Sequence, residues 1–142
     1  MRKTTAAIGS GLASLGLLTG GVLVASSPAH AATTITFNDI QLQSRDLNAT
    51  TFVRAGVDRR QGAVVGYSTM RGRESAGDLT LNATFALTGG TIHVRFLTVD
   101  ANDNTLTNGR VIGGTGNFED ATGTAQFTIT GNDVAVRIVV ET

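Results

Sequence analysis

Asp39 is the residue of this chain with the clearest chemical potential. In the run Ile35-Thr36-Phe37-Asn38-Asp39 it shares one strand face with Ile35 and Phe37. If that face turns inward, the carboxyl group enters an apolar cavity. Burial there disfavours the charged form, raises the pKa and suits the group to acid or base work. On the other reading Asp39 stands at a strand end and caps a turn that begins near Gln41. Parity leaves both open.

Other chemistry-bearing residues are sparse. His93 is the one histidine beyond His30, so a histidine-rich metal site is excluded. It alternates with Ile92 and Val94, which places it on an outer face. No Ser-His-Asp arrangement has a second supporting motif. Asp100-Ala101-Asn102-Asp103-Asn104 resembles the start of a calcium loop, but the sixth position is Thr105 and the twelfth is Val111. A calcium loop needs glycine and glutamate there. A polar hairpin turn is the plainer reading, since Asp and Asn bond their own backbone. The chain has no cysteine, which excludes thiolate metal sites and disulfides. No metal and no cofactor is expected.

The run Val111-Ile112-Gly113-Gly114-Thr115-Gly116-Asn117-Phe118-Glu119-Asp120-Ala121-Thr122-Gly123 invites comparison with a phosphate loop. Such a loop opens a helix whose N-terminus holds the phosphate. Here a strand pattern follows, with no Gly-Lys-Ser/Thr. The glycines fit a backbone that turns tightly and packs closely.

The elements that must position these residues are strands. Leu79, Leu81, Ala83, Phe85 and Leu87 alternate with polar or small residues, and Gly89-Gly90 then turns the chain. Ile92, Val94 and Phe96 alternate next, followed later by Ala125, Phe127 and Ile129. Gly131-Asn132-Asp133 makes another turn before Val134, Val136, Ile138 and Val140. This period of two marks half-buried strands. Thr51 to Val57 and Ala63 to Met70 add two strands, Ile35 to Asp39 begins a first, and a weaker one runs from about Leu106 to Ile112. No helical apolar stripe appears. About eight strands joined by short turns predict an all-β antiparallel meander. It closes into an up-and-down barrel or folds as a two-sheet sandwich.

The first 31 residues read as a signal peptide. Arg2 and Lys3 precede an apolar stretch from Ala6 to Val24, and Ala29-His30-Ala31 has the small-x-small cleavage pattern. The expected organisation is a leader over 1–31 and one domain over 32–142, secreted to the extracellular space. Without Arg2 and Lys3, nine of the eleven basic residues remain against eleven acidic ones, a net charge near minus two. That balance argues against nucleic acid and against a polybasic membrane contact after cleavage.

The glycine run resembles the signature of dirigent and allene oxide cyclase-like barrels, Val-Val-Gly-Gly-Thr-Gly-x-Phe/Tyr-x-x-Ala-x-Gly, with Gly113, Gly114, Gly116, Phe118 and Gly123 at its fixed positions. Phe37-Asn38-Asp39-Ile40 with Asn48-Ala49-Thr50 is similar to that family's first-strand segment. Arg60-Gln61-Gly62-Ala63, Gly66-Tyr67-Ser68 and Phe85-Ala86-Leu87-Thr88-Gly89-Gly90 follow in the family's order. Asn38 stands where the family has histidine, and Glu119 where it often has a basic residue. The resemblance implies an eight-stranded antiparallel, calycin-like barrel that assembles as a homodimer or homotrimer and needs no cofactor. It implies a small hydrophobic ligand in the interior and, in an enzyme, a cofactor-independent cyclase, isomerase or stereo-directing protein. Asp39 maps onto a family pocket acid that would move a proton, and Tyr67 would orient a substrate oxygen. Phe37, Leu81, Phe85, Phe96 and Phe127 would line the cavity. A non-catalytic carrier and a solid-cored extracellular interaction module are the alternatives. A hollow interior requires small or polar residues facing inward between the aromatics.

Overall fold

The computed structural model describes residues 31–142; the expected leader, apart from Ala31, lies outside the described residues. Eight strands follow in order: β1 (Ala32–Asp46), β2 (Thr51–Arg60), β3 (Ala63–Ser75), β4 (Asp78–Leu87), β5 (Gly90–Asp100), β6 (Thr105–Gly114), β7 (Thr122–Thr130) and β8 (Asp133–Glu141). Each pairs antiparallel with its neighbour in sequence. β1 also pairs with β8, from Ala32 opposite Glu141 to Ile40 opposite Asp133, which closes the sheet. Closure removes the unpaired edges that a meander would expose. The barrel stands, and the sandwich does not.

The period-two pattern does the sorting. On β7 and β8, Ala125, Phe127, Val136 and Ile138 are buried, whereas Thr124, Gln126, Thr128 and Arg137 are exposed. An apolar inside and a polar outside is the reverse of a lipid-facing barrel. Three aromatic contacts tie the centre together. Phe37 meets Phe85 edge-on at 5.1 Å, Phe85 meets Phe127 at 5.8 Å, and Phe96 meets Phe127 at 4.6 Å between ring centroids. Such ring pairs add about 0.5–1.5 kcal/mol each beyond their burial.

The glycine run is a structural connection, as its context predicts. Gly113 and Gly114 end β6, a short 3-10 turn covers Gly116–Phe118, and β7 begins at Thr122. Thr115 N–H donates to the Thr91 carbonyl at 3.0 Å and Asn117 N–H to the Gly89 carbonyl at 2.9 Å. The β6–β7 connection is thereby fastened onto the β4–β5 hairpin. The Asp100 segment is a polar turn, with Asn102 N–H donating to Asp100 Oδ1 at 2.9 Å. Among the described residues no cluster of three His, Cys, Asp or Glu side chains is placed to hold a metal.

Bulges decide what faces the site. Gln41 pairs with Gly56 and Gln43 with Ala55, so Leu42 is an extra residue on β1. It is pushed outward and is 65% exposed. The inward positions then pass from Gln41 to Ser44, opposite Arg54. A second irregularity pairs Asp58 with Gly66 but Arg59 with Val64, and it sets the parity of β3.

Candidate functional site

Asp39 does face inward. It lies directly opposite Asp58 across the β1–β2 ladder, and neither residue has any solvent exposure. Two carboxyl groups therefore share an apolar interior. Ser68 on β3 completes the cluster, its hydroxyl donating to Asp39 Oδ1 at 2.7 Å. Asp39 Oδ2 and both oxygens of Asp58 receive no other hydrogen bond. Two ionised carboxylates would meet acceptor to acceptor, whereas one proton between them turns the contact into a hydrogen bond.

Burial is the main cause of the raised pKa of both groups. At Asp39 it is opposed first by the Ser68 hydrogen bond and then by the neighbouring Asp58 and Gln41 side chains. At Asp58 it is reinforced by the charge of Asp39, and the two effects push Asp58 up to about 7. The pair titrates as a unit, with the shared proton held toward Asp58 and Asp39 held by Ser68. This is a group that carries a proton near neutral pH and can give it up, as general acid chemistry requires.

Small residues make room for the cluster. A Cβ on Gly56 would sit 2.1 Å from Asp39 Oδ1, and one on Gly66 would sit 3.1 Å from Asp58 Oδ2. The same device fills the rest of the interior. The space beside Gly72 is taken by the Phe52 ring and the space beside Gly109 by the Phe96 ring. Inward-facing small residues are present, as a hollow interior requires, but they accommodate the chain's own rings and carboxyls. Phe37, Leu81, Phe85, Phe96 and Phe127 all converge on the interior, each at most 4% exposed, and belong to one packed core.

The described concavities open elsewhere. One of about 250 Å³ lies at the barrel mouth, lined by Gln41, Leu42, Gln43, Ser44, Arg54, Gly131 and Asn132. A larger groove of about 780 Å³ shares Leu42, Gln43, Ser44 and Arg54 with it and runs over Val53 and Ala55. Gln41 stands between this mouth and the carboxyl pair. It accepts from Arg54 Nη1 at 3.1 Å and its Nε2 donates to Met70 Sδ at 3.5 Å.

Tyr67 corrects one expectation. The resemblance implies that it lines the interior and orients a substrate oxygen, but it projects outward and is 62% exposed; its neighbour Ser68 takes the inner position. The bulge opposite Asp58 and Arg59 is the reason, because the inner face of β3 reads Gly66, Ser68, Met70 and Gly72. His93 lies toward the outside, as its alternation predicts, with Nδ1 at 3.0 Å from Thr84 Oγ1. Sequence reasoning missed Asp58 because the second strand was expected to end at Val57. The strand continues to Arg60, so Asp58 falls inside the barrel instead of in a turn. The spacing Gly56-x-Asp58 against Gly66-x-Ser68 was the available signal: small residues at alternate positions around a polar one.

Ser68→Ala tests the cluster's internal wiring. It leaves the fourth and last oxygen of the buried pair without a donor, and a loss of about 1–3 kcal/mol is expected. Urea denaturation should show a larger loss at pH 8 than at pH 4, because the missing bond supports the charged form. An equal loss at both values would mean that Ser68 contributes packing alone.

No family model matches the chain, and no curated protein is similar to it in sequence. Among solved structures the barrel is similar to pyocyanin demethylase, with a TM-score of 0.63 and 17% identity over 75% of this chain and 99% of that one. What this likeness shows is a shared barrel fold.

Proposed function

We propose that this barrel binds a small hydrophobic molecule at its Gln41–Arg54 mouth and moves a proton to or from it through the Asp39–Asp58 pair. The observation that carries this reading is the pair itself. Two fully buried aspartates with three oxygens lacking other donors cost stability, and such groups concentrate where chemistry needs a shifted pKa. A ligand that displaces the Gln41 amide meets the Asp39 carboxyl. Proton transfer with neither metal nor organic cofactor fits a cyclase or isomerase of the dirigent and allene oxide cyclase-like type. The likeness to pyocyanin demethylase supports a barrel that handles small molecules, and the leader pattern supports a secreted protein.

The test is native mass spectrometry of the secreted protein, followed by incubation of whatever molecule it retains. Asp39→Asn is expected to keep that molecule bound and to lose its conversion. Conversion at the wild-type rate would remove Asp39 from the chemistry. The close packing of the centre favours a second reading, an extracellular interaction module with a solid core. A protein that retains no small molecule, and that shows no perturbation at Gln41 or Arg54 when planar aromatic probes such as pyocyanin are added, would support that reading instead.

A further inference from the structure

We infer that Arg54 and Gln41 form an anion subsite in the mouth, which takes the carboxylate of a small amphipathic molecule. This rests on the mouth site proposed above and adds the charge of its ligand.

Arg54 occupies an inward position on β2, opposite Ser44 on β1 and Met70 on β3. Its guanidinium lies over the Phe52 ring, 4.7 Å from the ring centre, within range of a cation–π contact. A guanidinium offers five N–H donors. Here Nη1 has the Gln41 carbonyl oxygen, while Nε is buried with no acceptor. Among the described residues no carboxylate forms an ion pair with Arg54. The inward acids Asp39 and Asp58 lie beyond Gln41 and Gly56 on their strands, and Asp46 lies opposite Phe52 and is exposed.

Other arginines are differently placed. Arg59, Arg60 and Arg95 are exposed and donate to Gly62 O, Thr36 O and Asn82 Oδ1. Among the described residues Arg54 is the one arginine that is partly withdrawn from water and lacks an acceptor for a buried N–H. Withdrawing a cation from solvent is costly unless an anion offsets it, and a carboxylate is the shape that a guanidinium fork receives in two parallel bonds.

The surroundings fit an anionic head with an apolar body. The mouth contains no acidic residue, and the hydroxyl of Ser44 and the amide of Asn132 add donors. The adjoining groove continues over Leu42, Val53 and Ala55, and its other charged residues are Arg45 and Arg71. Val53 and Ala55 alternate with Arg54 and face the other side of the sheet, so a carboxylate at Arg54 rests its apolar body on Leu42, which lines both the mouth and the groove, with Arg45 and Arg71 as positive flanks. The Asp39–Asp58 pair opposes a second negative charge nearby, so binding of the anion must also hold the pair's shared proton more tightly.

The experiment is a titration of the full-length secreted protein with hexanoate, hexanamide and inorganic phosphate. It follows the 15N signal of Arg54 Nε and the 13C carboxyl signals of Asp39 and Asp58. Hexanoate should shift the Arg54 signal and bind at least tenfold more tightly than either hexanamide or phosphate. Arg54→Lys, which keeps the charge but loses the fork, should weaken hexanoate about tenfold. The inference is overturned if hexanoate leaves the Arg54 signal in place, if hexanamide binds equally well, or if phosphate does. The last result would show that the apolar body is not recognised. The carboxyl signals separate this outcome from the function proposed above. A pair that ionises like ordinary aspartates in the absence of hexanoate defeats the proton-transfer reading and leaves the Arg54 result untouched.

Discussion

Asp58→Asn is expected to make the barrel more stable at pH 8, with a melting temperature about 10 °C or more above wild type, and the gain should shrink toward nothing at pH 4. In the unfolded chain an aspartate loses its proton near pH 4. In the barrel, burial and the charge of Asp39 keep Asp58 protonated up to about 7. Between those values the folded state binds more protons than the unfolded state, so stability falls as pH rises through the window and levels off above it. A displacement of about three pH units corresponds to about 4 kcal/mol. For a domain of this size each kcal/mol moves the melting temperature by several degrees, on the order of 4–8 °C. Asn keeps the shape, removes the titration and supplies an N–H₂ that can donate to Asp39 Oδ2, which lacks another donor. A residual slope remains because the pKa of Asp39 is raised by the same burial. Circular dichroism melts at pH 4, 6 and 8 give the answer. A variant less stable than wild type at pH 8, or one with an unchanged pH slope, would show that the two carboxyls do not share a proton.

The same substitution connects stability to the proposed chemistry. An asparagine here would be the better structural choice at neutral pH, yet the chain carries an aspartate facing another aspartate. Proteins hold such strained electrostatics where function requires them, and relieving the strain commonly costs activity. Asp58→Asn should therefore gain stability and lose conversion of the bound molecule together.

The barrel was legible in the sequence because inside and outside alternate so regularly. Leu79, Leu81, Ala83 and Phe85 all point inward as their period predicts. What the period cannot carry across is a bulge. One extra residue at Leu42 and another opposite Asp58 and Arg59 reverse the faces that follow, and Tyr67, which the family resemblance alone put in the pocket, stands outward in the fold. Strand ends are equally hard to read, since Asp58-Arg59-Arg60 has the polarity of a turn while continuing the ladder. Arg54 was invisible for a third reason. An arginine among Val53 and Ala55 reads as a solvent-facing residue, and its inward position follows from a register that no local pattern encodes. Asp39 was half legible: Ile35 and Phe37 share its face ahead of the first bulge, but the same parity also allowed a strand end that caps a turn near Gln41.

Gly123→Ala is expected to prevent folding or to leave a barrel destabilised by several kcal/mol, although the change adds a single methyl group. Gly123 sits in β7, opposite Val140 on β8 and Val111 on β6. Two independent obstacles meet there. Its φ of +143° is a backbone conformation that side-chain-bearing residues rarely adopt. A Cβ would also lie 1.9 Å from the Val139 carbonyl oxygen and 2.9 Å from its carbon. These are backbone atoms within a closed ladder, so relief requires β8 to move away from β7, which breaks pairing at the seam and opens the core around Ile138 and Val140. Gly113 is the control. Its φ of +134° imposes a similar conformational demand, but a Cβ there meets nothing within 4 Å. Gly113→Ala therefore carries only the backbone cost, about 1–3 kcal/mol. Denaturant titration of the two variants separates the contributions of conformation and space. Equal destabilisation would mean that β8 yields readily and that close approach of the strands is not what requires glycine at position 123.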